Sequence, residues 1–153
     1  MKRSAGLLLH RRGPGAELEV LLGHMGGPFY ARREAGAWTV PKGEYDPAEP
    51  AWDAARREFQ EELGLPPPEG DAVPLGEVRQ AGGKVVTVWA VEADLDPATV
   101  VPGTFTMEWP PRSGRTQEFP ELDRVAWFPV ERAREVIVTA QAAFLDRLAE
   151  HSH

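Results

Sequence analysis

Two apolar runs with strand character open the chain. Ser4–His10 and Leu18–Leu22 are dominated by Leu, Val and Ala, and the Gly- and Pro-bearing segment Arg11–Glu17 joins them as a turn. Gly26–Gly36 reads as a loop, and Ala37–Val40 as a short strand running into Pro41-Lys42-Gly43. A helix is predicted next, beginning between Asp46 and Pro50 and ending at Gly64. Asp46 is placed as its N-cap, Pro47 in its first turn, Glu49 three residues after the cap and Gly64 at the C-terminal stop. Pro66-Pro67-Pro68 is a stiff spacer inside the same domain. Beyond it, Leu75–Gln80 and Lys84–Val91 predict strands, the second on the β-branched run Val85, Val86, Val88 and Val91. Asp94–Phe105 has no decisive period, and Glu108–Pro120 reads as a loop rich in Pro, Gly and Arg. Val125–Phe128 predicts a strand, Pro129–Val138 and Ala140–Glu150 helices. The class is α+β, a mixed sheet with helices outside it.

The predicted helix has one face that packing explains and one that it does not. Trp52, Ala55, Phe59 and Leu63 recur at spacings of three and four and form an apolar stripe. Glu58, Glu61 and Glu62 share another side, with Glu62 on the border of that stripe. A like-charge pair four residues apart costs about 0.2–0.5 kcal/mol. Anions in the last turns also oppose the helix dipole, by roughly 0.3–1 kcal/mol each near the end. Only Arg57, four residues before Glu61, offers local compensation. A solvated acidic face accounts for part of this pattern. Carboxylates clustered with too little positive charge also make a site for a hard cation, and Gly43 lets a backbone carbonyl approach closely.

Composition narrows the options further. With 153 residues, 42% of them hydrophobic, the chain reads as one ordinary domain over 1–150, with His151-Ser152-His153 as a tail. No apolar run is long enough to span a membrane, and Leu7–Leu9 is too short for a signal-peptide core, so an unprocessed cytoplasmic chain is expected. The absence of cysteine excludes disulfides, thiolate catalysis and cysteine-bound zinc. A net charge of −7 without a basic run argues against nucleic-acid binding, whereas a phosphorylated small molecule remains accessible if divalent cations supply the positive charge.

The segment Gly43 to Leu65, GEYDPAEPAWDAARREFQEELGL, resembles the Nudix box, the signature of the MutT-like Nudix hydrolases. Gly43, Glu49, Arg57, Glu58, Phe59, Glu61, Glu62, Gly64 and Leu65 match its defining positions in order and spacing. The resemblance implies the Nudix fold, a mixed sheet sandwiched between helices, and a Mg2+-dependent pyrophosphohydrolase for which Mn2+ is a possible substitute. It implies Glu58 and Glu62 as direct metal ligands with the Gly43 carbonyl, and Glu61 as a water-mediated ligand or general base. Arg57 would orient the glutamates, and Glu49 would hold the loop-helix geometry. Some members take a further glutamate from a loop before the last strand; here Glu118 and Glu121 both lie ahead of Trp127. Among the candidates for the base, Glu61 is placed first because a helix fixes its position.

The substrate is less legible. Family markers downstream of the box, a proline for ADP-ribose or a tyrosine for dinucleoside polyphosphates, are absent where Gln80-Ala81-Gly82-Gly83 stands. Lys42, Arg112 and Arg115 are candidate phosphate contacts, as are Arg32 and Arg33; Phe29, Tyr30 and Trp109 are loop aromatics that could stack on a base or simply pack on the core. A nucleotide substrate is favoured, either a dinucleoside polyphosphate or a noncanonical nucleoside triphosphate. The rival is a nucleotide-sensing module without catalysis. Such a module is expected to have lost box glutamates, and none is missing here.

Overall fold

Leu7 and Leu9 point to one side of the first strand and Leu8 to the other, and all three are buried. A strand covered on both faces needs a layer on each side, and the computed structural model, which describes residues 2–151, supplies both. Strands β1 (Arg3–Arg12), β2 (Leu18–Met25), β3 (Trp38–Thr39), β4 (Lys42–Glu44), β5 (Ala72–Arg79), β6 (Val85–Glu92) and β9 (Leu122–Pro129) form one seven-stranded sheet. Its central path runs β3-β2-β1-β6-β5, with β4 on β1 and β9 on β2. The β1–β6 ladder is parallel and the other ladders antiparallel, so the sheet is mixed as expected.

One face packs against helix α1 (Ala51–Leu63), through Ala54, Ala55, Phe59 and Leu63 against Ala5, Leu7, Leu9 and Leu21. The apolar stripe read from the sequence is therefore real; Trp52 lies at its edge, with its ring against Trp89 at 5.3 Å. The other face packs against α2 (Val130–Val136) and α3 (Ala142–His151), through Ala133, Val136, Phe144, Leu145 and Leu148. Between these helices the fully buried Gln141 accepts from the Val40 N–H at 2.9 Å and donates to Thr39 Oγ1 and Gln80 Oε1. That satisfies a polar side chain in the core and pins the strand leading to Lys42.

Several boundaries differ from the sequence reading. Helix α1 begins at Ala51 with Pro50 at the N-cap and no side-chain cap. A residue preceding proline is disfavoured in the helical region, so Glu49 stays outside. Asp46 instead accepts the Ala48 N–H at 2.8 Å, closing a turn ahead of the helix that contains Pro47. Gly64 does end the helix, in the left-handed region at φ 68°. The segment read as a loop over Glu108–Pro120 is mostly a hairpin: β7 (Thr104–Glu108) pairs with β8 (Thr116–Pro120) as a separate two-stranded sheet. The alternation Thr104, Phe105, Thr106, Met107, Glu108 carries that strand. His151 closes α3 rather than opening a tail, and Ser152 and His153 lie outside the described residues. No helix among the described residues is long and apolar enough to cross a membrane.

Candidate active site

Helix α1 aims its acidic side at the β4 strand and at the base of the β7–β8 hairpin. The space between them is a cavity of about 530 Å3. Lys42, Gly43 and Glu44 form one wall, Glu58, Glu61 and Glu62 the second, and Gly103, Thr104 and Glu121 the third.

Glu58 and Glu62 are buried, at 8% and 9% exposure, whereas the Glu61 side chain is 57% exposed. The Glu58 carboxylate lies against Gly43 so closely that a Cβ there would stand 1.8 Å from Glu58 Oε2, which explains the glycine. Arg57 ties the acidic set together. Its Nε and Nη2 donate to Glu49 at 2.9 and 2.8 Å, and its Nη1 donates to Glu58 at 2.9 Å and to both oxygens of Glu61 at 3.1 Å. The bidentate Glu49–Arg57 pair joins the loop before the helix to its middle, so Glu49 fixes geometry through a guanidinium rather than through a backbone cap.

The charge balance remains negative around Glu62. Burial raises its carboxyl to about 8, and repulsion from Glu121 and Glu58 adds to the rise against the pull of Lys42. Burial likewise raises Glu58, opposed by Arg57, and raises Glu121, opposed by Lys42. Lys42 itself is lowered by burial and by Lys84, and held up by Glu62, Glu44 and Glu121. Oxygen donors partly stripped of water and short of cationic partners suit a hard divalent cation. Among the described residues no three acidic or histidine side chains close around an ion by themselves.

Of the two loop glutamates, Glu121 lines the cavity and Glu118 does not. Glu118 is exposed in the middle of β8, opposite Thr106. Arg112 and Arg115 stand at the hairpin tip, off the cavity walls, where the Glu108 carboxylate accepts the Arg112 and Gly114 N–H groups and shapes the turn. Arg32 and Arg33 are exposed and also off the walls.

A second cavity of about 240 Å3 adjoins the first and shares Lys42, Glu62 and Glu121 with it. Tyr30 and Phe105 supply its aromatic surface, with Met25 and Leu122 alongside. Phe105 was hidden in the segment without a decisive period; the strand alternation around it was the available signal. Phe29 and Trp109 do not enter this cavity. Their rings meet edge to face at 5.5 Å, so the aromatic pair bridges the Gly26–Gly36 loop and the hairpin end.

The model of the NUDIX domain matches residues 1–148. The chain belongs to the Nudix family. Its fold is similar to that of a C. elegans Ap4A hydrolase solved as a binary complex, with 22% identity, a TM-score of 0.68, and coverage of 99% of this chain and 98% of that one. It is also similar to RenU, a Nudix hydrolase from M. Smegmatis, with 27% identity, a TM-score of 0.59, and coverage of 97% and 84%. The NUDIX domain of Shewanella oneidensis NrtR, solved with ADP ribose, aligns at 15% identity with a TM-score of 0.64, covering 99% and 88%. No curated protein matches by sequence. As a Nudix hydrolase, the chain carries Gly43, Glu58, Glu61 and Glu62 of the box on one cavity, with Glu49 tied to that set through Arg57.

Proposed function

We propose that this Nudix hydrolase is a magnesium-dependent pyrophosphohydrolase that cleaves a phosphoanhydride bond in a nucleoside diphosphate linked to a further group. The observation that carries this reading is the pair Glu58 and Glu62, buried beside Gly43 in a cavity with too little positive charge for its carboxylates. Glu58, Glu62 and the Gly43 carbonyl would hold Mg2+, with Mn2+ as a substitute, and Glu61 would support the ion from the exposed rim. The ion supplies neutralisation of phosphate charge and acidifies water in the site.

The chain's own residues divide the remaining work. Arg57 holds Glu58 and Glu61 in place through three hydrogen bonds from Nη1. Lys42, on the wall shared by both cavities, presents its ammonium to a phosphate oxygen. A carboxylate oxygen of Glu121 accepts the proton of the attacking water. Glu121 is preferred to Glu61 because both oxygens of Glu61 accept from Arg57, whereas no side-chain hydrogen bond or ion pair engages Glu121 among the described residues. Burial also raises the Glu121 carboxyl, in the direction that suits a proton acceptor working near neutral pH. Glu118, Arg112 and Arg115 stand outside this arrangement.

The substrate proposed is a dinucleoside polyphosphate or a noncanonical nucleoside triphosphate. The adjoining aromatic cavity offers space for a group attached to the pyrophosphate, and the fold's likeness to an Ap4A hydrolase favours the first. The alternative, a nucleotide sensor without catalysis, keeps the binding cavity but releases no product. The test is incubation with a panel of diadenosine polyphosphates, oxidised and canonical nucleoside triphosphates and nucleotide sugars, with magnesium or with chelator. Monophosphate release with magnesium alone supports the enzyme; nucleotide binding without product from any of them supports the sensor.

A further inference from the structure

His24 is fully buried, and both of its ring nitrogens are committed. Nδ1 lies 3.0 Å from each carboxylate oxygen of Asp123, and Nε2 lies 2.7 Å from the carbonyl oxygen of Arg33. A carbonyl only accepts, so Nε2 donates to Arg33, and a single further proton serves the contact between Nδ1 and Asp123. The ring edge also rests on Trp38 at 5.1 Å.

The strand ladder is distorted at this point. Along β2 and β9, His24 pairs with Arg124 and Met25 with Leu122, so Asp123 is an extra, unpaired residue on β9. Such a bulge turns a side chain out of the normal alternation, and here it delivers the Asp123 carboxylate to a buried imidazole. Arg124 Nη1 donates to Asp123 at 3.1 Å and its Nη2 to Glu34 at 3.0 Å, while Glu34 accepts from the Trp38 indole at 3.4 Å. The circuit thus joins β2, β3 and β9 to the segment between β2 and β3.

That segment reaches the second cavity in three steps. The Arg33 carbonyl is held by His24, the Arg33 N–H donates to the Tyr30 carbonyl at 3.0 Å, and the Tyr30 N–H donates to the Gly27 carbonyl at 3.4 Å. Tyr30 lines the cavity, and Met25 and Leu122, which flank the bulge, line it as well. We infer that His24 is a positioning residue for substrate: clamped between Asp123 and the Arg33 carbonyl, it fixes the Gly26–Gly36 loop and holds Tyr30 on the wall that receives the group attached to the pyrophosphate. This rests on the reaction proposed above.

The test compares wild type, His24→Phe, Asp123→Ala and Asp123→Asn, with diadenosine tetraphosphate as probe. His24→Phe keeps a ring against Trp38 and removes both hydrogen bonds. It is expected to raise KM by roughly 10-fold, the scale set by losing a hydrogen bond to a charged group, with kcat within about 3-fold. Asp123→Ala should behave alike, and Asp123→Asn, which retains an acceptor oxygen, should be closer to wild type. Hydrogen exchange of the free protein supplies a readout independent of turnover: the Tyr30 and Arg33 amides should lose protection while β1 and β6 keep theirs. An unchanged KM with unchanged Arg33 protection overturns the inference, as does a uniform loss of protection across the sheet without a KM effect. If His24→Phe does not fold, the two Asp123 variants decide by the same measures. Absence of turnover by wild type on every nucleotide overturns the reaction, and the exchange pattern then decides the clamp alone.

Discussion

Glu62 and Glu121 are joined through a single intermediary, Gly103. The Gly103 N–H donates to the Glu62 carbonyl at 3.3 Å, and the Gly103 carbonyl accepts the Glu121 N–H at 2.8 Å. The end of the acidic helix and the start of β9 are therefore set against each other by backbone, not by flexible side chains. A Cβ on Gly103 would stand 2.6 Å from the Glu61 carbonyl oxygen, so no larger residue fits without displacement.

Gly103→Ala is thus expected to shift Glu121 away from the helix. Displacements on the scale of 1 Å near a reacting group cost about 10²-fold in rate, and overpacking costs about 1–3 kcal/mol of stability. Turnover should fall by about that factor while the magnesium concentration at half-maximal rate changes little. Steady-state kinetics over a magnesium titration measures both; wild-type turnover would show that the Gly103 contact does not set the site.

Replacing Glu58 or Glu62 with Gln should reduce turnover beyond the roughly 10–100-fold that losing an outer partner of a metal site costs. The chelated protein should respond differently. Glu62→Gln removes a buried, repelled carboxylate and is expected to melt at or above wild type. Glu58→Gln loses charge from its contact with Arg57 and is expected to melt near wild type, because desolvation outweighs that contact. Melts with magnesium and with chelator separate the two effects, and intact turnover in either variant would remove it from the ligand set.

The pH dependence of the metal-free protein has a definite sign. The Glu62 carboxyl is raised from an ordinary 4.5 to about 8, so between those values the folded state holds a proton that the unfolded chain has lost. Its contribution to stability is fully present below the lower value and is lost as pH rises through about 8. Glu58 and Glu121 are raised as well and act in the same direction; Lys42, lowered, acts with the opposite sign. The melting advantage of Glu62→Gln over wild type should therefore be small near about pH 5 and grow toward about pH 8 in chelator. A difference that stays flat across that range would place Glu62 in a better-compensated environment than its neighbours indicate.

The proton acceptor is resolved by pH-rate profiles at saturating magnesium. Glu121→Gln should lose the acidic limb and about 10²–10⁴-fold in rate, the usual contribution of a general base. Glu61→Gln should retain the limb and recover part of its rate as magnesium is raised. The reverse pattern would return the role to Glu61.

The acidic helix was legible because its information is local. Spacing alone puts Glu58, Glu61 and Glu62 on one side and Phe59 and Leu63 on another, and Gly64 stops the chain where a left-handed residue is needed. The helix start was misread because Asp46 and Glu49 satisfy a capping pattern that Pro50 overrides. The β7–β8 hairpin was missed because its apolar alternation is short, limited to Phe105 and Met107 on β7, while Thr116-Gln117-Glu118 opens β8 with three polar residues and leaves Phe119 as its one aromatic. What distinguished Glu121 from Glu118 is the backbone chain through Gly103, a pairing over long sequence separation that no local period encodes. The His24–Asp123 contact has the same origin, in a bulge visible only once β2 and β9 are in register.

The detached β7–β8 ribbon has a consequence for how the molecule can be altered. Among the described residues its two strands pair only with each other, and its tip is closed by Glu108 within the turn itself. Residues can be added to or removed from that tip without breaking a ladder of the seven-stranded sheet or opening either helical layer. The length of the ribbon is thereby separable from the stability of the fold, so a tip transplanted from a relative can be carried while the host keeps its own core.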